Sequence, residues 1–255
     1  MQIVLGVKQL GNGKEQNKAN VKLTKRDMEI CKFLLEMKFA SVEEIHKKFF
    51  KITLLGFESK GFRPAWKRLQ NLESLGFIKA LHHFQFLKRF YIPTLKGYNL
   101  IRNCYSSDEI PYPSKNIDIR TFDHDLRVTE VRLALENKFH ISKWKSDRLL
   151  RSLNEYSSLI RQNLVPDGIF LTSDNKRVCF EFEKATKAKS RYLSKIKAYV
   201  SIMREQNSKL KLFDTVLYVC ENKIVFEYLC KETKIYGELF KVQTIDQILS
   251  SEQVS

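Results

Sequence analysis

The sequence predicts an α/β protein of two domains, and three observations lead to this prediction. Apolar residues recur at helical spacing in the first 104 residues, where a pair of β-rich runs follows three short helices. From residue 119 onwards, helical segments alternate with β-rich runs, which is typical of a mixed sheet covered by helices. Between these parts, the polar segment 105–118 holds two of the five prolines and indicates a linker. Residues 1–21 are predicted to form a flexible tail.

The chain carries a large excess of positive charge. Its 255 residues include 45 Lys and Arg against 29 Asp and Glu, which gives a formal net charge of +16. Folding does not require such an excess, so we expect a polyanionic partner, either nucleic acid or an anionic membrane surface. No apolar run approaches the roughly 18 residues that suggest a membrane span, and no basic amphipathic helix is typical of a membrane anchor. We therefore expect nucleic acid as the partner and no membrane association.

The cysteines and the first residues indicate the compartment. The five cysteines are scattered without CxxC spacing, so they predict neither a zinc site nor a disulfide framework. The first 20 residues contain only a brief apolar patch and match a signal peptide poorly. Both features favour a cytoplasmic protein with reduced cysteines.

The first predicted domain begins with three short helices. Thr24 is a natural N-cap for the first helix, and Ser41 with Glu44 forms a capping-box pattern at the start of the second. The third predicted helix, 63–78, has a proline near its start and a glycine near its end. Its apolar stripe runs through Ala65 or Trp66 and three leucines, so its polar residues project from other faces.

Two β-rich runs with a basic tip follow over residues 77–94, and a further helix is predicted at 94–101. Three short helices, a basic hairpin and a closing helix are typical of a winged helix-turn-helix. The stretches LQNLESLGFI and YIPTLKGYNLI resemble that family, and we assign residues 22–104 to it. The resemblance implies that the third helix enters the major groove of double-stranded DNA. The DNA-contacting residues it implies are Arg63, Lys67, Arg68 and Gln70 on that helix and His82, His83, Lys88 and Arg89 on the wing.

Winged helices also serve as protein-interaction modules, in which such Lys and Arg residues are simply solvated. Residues 51–100, however, hold nine basic and only two acidic side chains. That ratio exceeds what solubility requires, so it favours DNA. A winged-helix protein that reads a palindrome is expected to form a homodimer.

The second predicted domain, 119–255, opens with a helix over 122–139, followed by a short strand and a polar loop. Residues 164–184 then form a predicted β-hairpin with SDNK at its turn. A basic amphipathic helix over 185–206 follows, then a buried strand over 215–220 and further helix and strand segments. The first six main elements have the order αβββαβ.

The predicted hairpin carries three acids. Strand side chains alternate, so Glu181 and Glu183 share one face, and Asp167 lies one hairpin arm away. Three converging carboxylates repel one another unless a cation neutralises them, and hard divalent ions such as Mg²⁺ or Mn²⁺ favour an all-oxygen set. Such an ion could polarise a phosphodiester and supply a hydroxide nucleophile.

The pattern PD-x13-E-x-E resembles the PD-(D/E)XK nuclease superfamily, whose core has the order αβββαβ. The resemblance covers roughly residues 120–240 and implies that Asp167 and Glu181 are metal ligands. Glu183 then stands where the family usually has lysine. Lys184 would point to the opposite face unless the strand bulges, and a replacement lysine would have to come from the next helix. The candidates there are Lys187, Lys189 and Lys195, and the acids that could complete the site are Asp125 and Glu130.

A closer resemblance covers the whole chain. A winged helix, then HDL at 124–126, then PD, EFEKAT, and Lys195 followed four residues later by Tyr199 resemble the replication-relaxation family of plasmids and mobile elements. The family implies work on DNA in plasmid replication, mobilisation or their control, and does not by itself imply cleavage. A protein partner in replication or transposition is a further candidate partner.

Three interpretations of the acids stay open on the sequence alone. They are surface carboxylates on an edge hairpin, a degenerate nuclease fold retained to bind DNA or a partner, or the site of an active endonuclease or nickase. In the last interpretation the catalytic residues are Asp167, Glu181, Glu183 and Lys195.

Overall fold

A computed structural model describes residues 22–52, 58–59, 61–82, 88–106, 109–114, 116–205 and 211–250. The chain divides into two compact units, Met1–Tyr105 and Ser106–Ser255. Helices and two separate β-sheets make up the structure, so the predicted α/β class is confirmed. Among the described residues, no helix has the length and apolar character needed to cross a membrane.

The described residues of the first unit form four helices and a small antiparallel sheet in which β3 lies between β1 and β2. Its elements are α1 (Lys25–Met37), β1 (Ala40–Ser41), α2 (Val42–Phe49), α3 (Arg63–Ser74), β2 (Ile78–His82), β3 (Arg89–Pro93) and α4 (Leu95–Arg102). The helices and the pair of longer strands that the sequence predicts here are confirmed. The two-residue strand β1 was not predicted, because so short a segment has no readable alternation.

Local capping explains where the first helices begin. The Thr24 side chain accepts a hydrogen bond from the Asp27 backbone N–H, and the Asp27 carboxylate accepts one from the Thr24 backbone N–H. Ser41 and Glu44 form the same reciprocal pair at the start of α2. These pairs satisfy backbone donors that have no partner within the helix. Gly97 in α4 sits against the carbonyl oxygen of Phe77, where any Cβ would overlap that oxygen.

The second unit, as far as the structure describes it, is built on a five-stranded mixed sheet with the strand order β4-β5-β6-β7-β8. Strands β4, β5 and β6 are antiparallel neighbours, and β6, β7 and β8 are parallel neighbours. Its elements are α5 (Phe122–Phe139), β4 (Ser142–Ser146), α6 (Asp147–Ser152), α7 (Ser157–Arg161), β5 (Gly168–Leu171), β6 (Arg177–Glu183), α8 (Lys189–Glu205), β7 (Thr215–Cys220), α9 (Lys223–Thr233), β8 (Phe240–Thr244) and α10 (Ile245–Leu249).

The predicted order of main helices and strands in this unit is confirmed, with one correction. The polar loop predicted between β4 and β5 contains the short helices α6 and α7. Burial of apolar side chains stabilises these two short helices. The buried residues of this segment are Leu149, Leu150, Tyr156 and Leu159. The polar residues between them hid that pattern.

Strand β6 lies in the middle of the sheet and its side chains divide between two faces. Phe180 and Phe182 point to the side of α5, where Phe182 contacts His124. Glu181 and Glu183 point to the side of α8, which packs on the sheet through Tyr192, Ile196 and Tyr199. The predicted alternation is therefore confirmed, and it directs two carboxylates into the interior.

Candidate functional site

The acidic pair of β6 is almost completely buried. Glu181 is 2% exposed and Glu183 is 1% exposed. Lys195 Nζ lies 2.5 Å from Glu181 Oε2 and 3.6 Å from Glu183 Oε1, so one ammonium group contacts both acids. Lys187 Nζ lies 2.6 Å from Glu183 Oε2, and the Tyr199 hydroxyl donates a hydrogen bond to Glu181. We call these five residues the Glu–Lys cluster.

The spacing of these residues explains how the cluster forms. Side chains two residues apart in a strand point to the same face, and side chains four residues apart in a helix lie one above the other. Glu181 and Glu183 satisfy the first rule on β6, while Lys195 and Tyr199 satisfy the second on α8. Packing of α8 on the sheet then brings the Lys195 ammonium and the Tyr199 hydroxyl to one carboxylate.

Two carboxylates and two ammonium groups balance the charge of the cluster. Burial raises the pKa of Glu181 to about 7, although the charge of Lys195 acts in the opposite direction. Burial alone would lower the pKa of Lys195, but the attraction of Glu181 and Glu183 outweighs it and raises that pKa above its ordinary value. Lys195 is therefore protonated at neutral pH.

The third predicted acid, Asp167, has different partners. Its Oδ2 accepts a hydrogen bond of 2.7 Å from the backbone N–H of Phe182 and lies 3.4 Å from His124 Nε2. His124 Nδ1 lies 3.7 Å from Asp125 Oδ1, so this imidazole is placed between two carboxylates. Burial would lower the pKa of His124, but hydrogen bonds to Asp125 and Asp167 raise it to about 10. His124 is thus a charged partner of Asp167 and also packs against the Phe182 ring.

These contacts bear directly on the predicted metal site. Among the described residues, no group of three or more His, Cys, Asp or Glu side chains could hold a metal ion. Each predicted ligand already faces a cation from the protein, and the Lys195 ammonium lies between Glu181 and Glu183. A lysine there supplies the positive charge that a metal would otherwise supply, so the residues as placed do not fit a divalent ion. An Mg²⁺ or Mn²⁺ site requires Lys195 to leave, and it stays a prediction.

The other candidates for this site lie outside the cluster. Lys184 pairs with Asp123 at 2.9 Å, away from the two glutamates, as strand alternation predicts. Lys189 Nζ lies 5.6 Å from the centre of the Tyr228 ring. Glu130 pairs with Arg127 at 2.7 Å. Of the three candidate lysines, Lys187 and Lys195 reach the acids.

A pocket with a volume of about 410 Å³ lies beside the Glu–Lys cluster. Glu183, Lys187 and Lys195 line it, and so do Arg151 and Arg191. Sequence reasoning missed the two arginines, because Arg151 belongs to a segment predicted as loop. The signal that the sequence offers is the basic character of α8, and basic character alone does not predict which residues line a pocket.

In the first unit, α3 divides cleanly into a buried and an exposed face. Ala65, Leu69 and Leu72 are buried, and Arg63 and Lys67 are exposed. The position of the apolar stripe is now decided, since Ala65 is 0% exposed whereas Trp66 is 43% exposed. Gln70 is half-buried at the edge of the exposed face.

Arg68 is engaged inside the unit. Its Nε donates to Asp27 Oδ1 at 2.6 Å, and its Nη2 donates to the Lys22 carbonyl oxygen at 2.9 Å and also to Asp27 Oδ2. Asp27 is fully buried and also closes the capping box of α1. Arg68 therefore ties α3 to the start of α1.

The structure describes two of the four predicted wing residues, Lys88 and Arg89, with their side chains. Arg89 pairs with Glu73 of α3 at 2.7 Å, and Glu73 also accepts a 3.0 Å hydrogen bond from the Ala80 backbone N–H. Lys88 is exposed. His82 ends β2, but its side chain is not among the described features, and His83 lies outside the described residues.

The Glu–Lys cluster predicts a stability effect that depends on pH. Lys195→Met should lower the free energy of unfolding of the second unit by about 3 kcal/mol near pH 8, because it leaves buried carboxylates without their shared cation. Without Lys195, the pKa of Glu181 in the folded state should rise further above its unfolded value. The variant then loses stability as the pH rises from the unfolded to the folded pKa of Glu181. The difference in free energy of unfolding between the wild type and Lys195→Met should therefore be smaller near pH 5, where Glu181 of the folded variant is protonated.

Chemical denaturation measures this effect. The chain has two tryptophans, Trp66 in the first unit and Trp144 in the second, so a Trp66→Phe background makes fluorescence report the second unit alone. Lys184→Met is the matched control and should cost at most about 1 kcal/mol, because its ion pair is exposed. A loss for Lys195→Met no larger than the loss for this control would contradict the assignment.

Comparison with known proteins confirms the resemblance seen in the sequence. A family model described as replication-relaxation matches residues 32–216, which lie in both units. No curated protein and no solved structure matches the chain significantly. Because the family model covers well over half of the 255 residues, the chain belongs to the replication-relaxation family, and this membership indicates a role in plasmid or mobile-element replication or relaxation.

Proposed function

We propose that the chain is a DNA-binding protein that acts in the replication, mobilisation or transcriptional control of a plasmid or mobile element. In this proposal the first unit is a winged helix-turn-helix and the second is a nuclease-like domain. The observation that carries the proposal is the exposed face of α3, where Arg63, Trp66 and Lys67 project from a helix anchored by its opposite face.

The order of elements in the first unit supports the winged-helix assignment. A helix, a short strand, two helices and a two-stranded hairpin follow one another, and the short strand pairs with the second strand of the hairpin. In winged helices of this order the third helix is the one that enters the major groove. The net charge of +16 supports a polyanionic partner.

The contacts within the first unit divide the predicted DNA-binding residues by role. Arg63, Lys67 and Gln70 are assigned to contact bases or phosphates from α3, and Lys88 is assigned to contact the backbone from the wing. Arg68 is assigned a positioning role, because its guanidinium is held by the buried carboxylate of Asp27.

The proposed interface predicts a specific loss of DNA affinity. Arg63→Ala/Lys67→Ala should weaken binding to double-stranded DNA by about tenfold or more, because two cations leave the exposed face of α3. The slope of log affinity against log salt should fall by about one to two, since each lost phosphate contact contributes about 0.9. Fluorescence anisotropy with a mixed-sequence duplex, repeated over a series of salt concentrations, measures both quantities.

The control for charge is Lys231→Ala/Lys241→Ala, which removes the same charge from exposed positions of the second unit. This variant should bind duplex DNA nearly as the wild type does. If the α3 variant and the control lose affinity equally, binding is a property of net charge, and α3 is not the interface.

In the second unit, the succession α5, β4, β5, β6, α8 and β7 supports a nuclease-like core of the order αβββαβ. We propose that its acidic site does not cleave DNA, because lysines hold the acids of the Glu–Lys cluster. A metal-dependent endonuclease or nickase is the second candidate. It is favoured by the placement of Asp167 at the entrance of β5, the strand that pairs with β6.

Cleavage of supercoiled plasmid separates the two candidates. Wild-type protein incubated with Mg²⁺ or Mn²⁺ should leave the plasmid supercoiled, as should Asp167→Ala. Nicking or linearisation by the wild type that disappears in Asp167→Ala would establish the endonuclease, with Asp167 and Glu181 as the first ligands to examine.

A further inference from the structure

The pocket beside the Glu–Lys cluster is strongly basic. Four cationic side chains line it, and Glu183 is its one acidic lining residue in the part of the chain that the structure describes. The four cations are Arg151, Lys187, Arg191 and Lys195. Its volume of about 410 Å³ lies within the range of small-molecule sites.

Within the described part of the chain, two of these cations have no acidic partner. Lys187 and Lys195 contact the buried glutamates. Arg151 and Arg191 are exposed, and no carboxylate among the described residues pairs with either. Glu183 does not cancel them, because it is 1% exposed and its charge is already met by both lysines. The pocket therefore presents two uncompensated guanidinium groups.

We propose that this pocket binds a phosphate group of a phosphate ester. Guanidinium groups recognise phosphate oxygens by paired, charge-assisted hydrogen bonds. Ser190, Ser194 and Asn163 also line the pocket and add neutral hydrogen-bond donors. Ser190 and Arg191 belong to the first turn of the 17-residue helix α8, where the helix dipole favours an anion.

The lining argues for a phosphate rather than a base as the recognised group. Among the described residues that line the pocket, Tyr192 is the single aromatic one, and it is 3% exposed. It cannot offer a ring face to a nucleobase, whereas recognition of unpaired bases depends on such stacking. The phosphate can come from a nucleic-acid strand or from a free nucleotide, and these two sources share the same recognition chemistry.

This site goes beyond the proposed role of α3, because it lies in the second unit and requires no base reading. Full-length protein is titrated calorimetrically with pyrophosphate, with Arg151→Gln/Arg191→Gln as the test variant. We expect saturable binding by the wild type and about tenfold or greater weakening in the variant, since two charged hydrogen-bonding groups are removed. The matched control, Lys231→Gln/Lys241→Gln, removes two exposed cations that do not line the pocket and should bind as the wild type does.

Competition identifies the source of the phosphate. Pyrophosphate is displaced by a mixed-sequence single-stranded oligonucleotide and, separately, by thymidine triphosphate. If the oligonucleotide acts at the lower concentration, the pocket is assigned to a nucleic-acid strand. If thymidine triphosphate does, the pocket is assigned to a nucleotide. Arg63→Ala/Lys67→Ala should retain pyrophosphate binding, which separates this site from α3. No saturable pyrophosphate binding by the wild type, or equal affinity in the wild type and the pocket variant, would overturn the proposal.

Discussion

The contact of the Lys195 ammonium with Glu181 and Glu183 is the interaction on which the second unit depends. Two carboxylates two residues apart on a central strand are both taken out of water, which is costly unless cations accompany them. Lys195 brings this cation from α8, so α8 has to pack on the sheet in an orientation that places the ammonium group beside both carboxylates. Hydrophobic packing of α8 supplies the attraction, and the charge pairing selects the arrangement.

A buried carboxylate needs a cationic partner, and this requirement divides the cations of both units into two kinds, those that pair with buried acids and those that are exposed. In the interior, Arg68 meets Asp27 in the first unit as Lys195 meets the glutamates in the second. The second kind lies at the surface, where Arg63 and Lys67 of the first unit and Arg151 and Arg191 of the second are exposed. The exposed cations include these four, which lie on α3 and at the pocket, the surfaces that we propose for DNA and for phosphate.

Short-range signals in the sequence predicted much of this structure. Capping residues such as Thr24 and Ser41 place the helix starts, and period-two alternation places Glu181 and Glu183 on one face. Contacts between distant residues were not predictable. The helical pattern predicts that Arg68 is a surface residue, because its partner Asp27 lies 41 residues away and leaves no signal in the local sequence. The choice between the candidate lysines depends on the rotation of α8 against the sheet, which a single sequence does not encode locally.

The central claim is that lysines, and not a metal, neutralise the acids of β6. The most direct test is the free energy of unfolding of the second unit, read from Trp144 in a Trp66→Phe background, as Mg²⁺ or Mn²⁺ is added at constant ionic strength. We predict no change, because a ligand that does not bind the folded state cannot stabilise it. A saturable increase, reaching about 2.7 kcal/mol at a hundredfold excess over Kd and abolished by Glu181→Gln, would contradict the account.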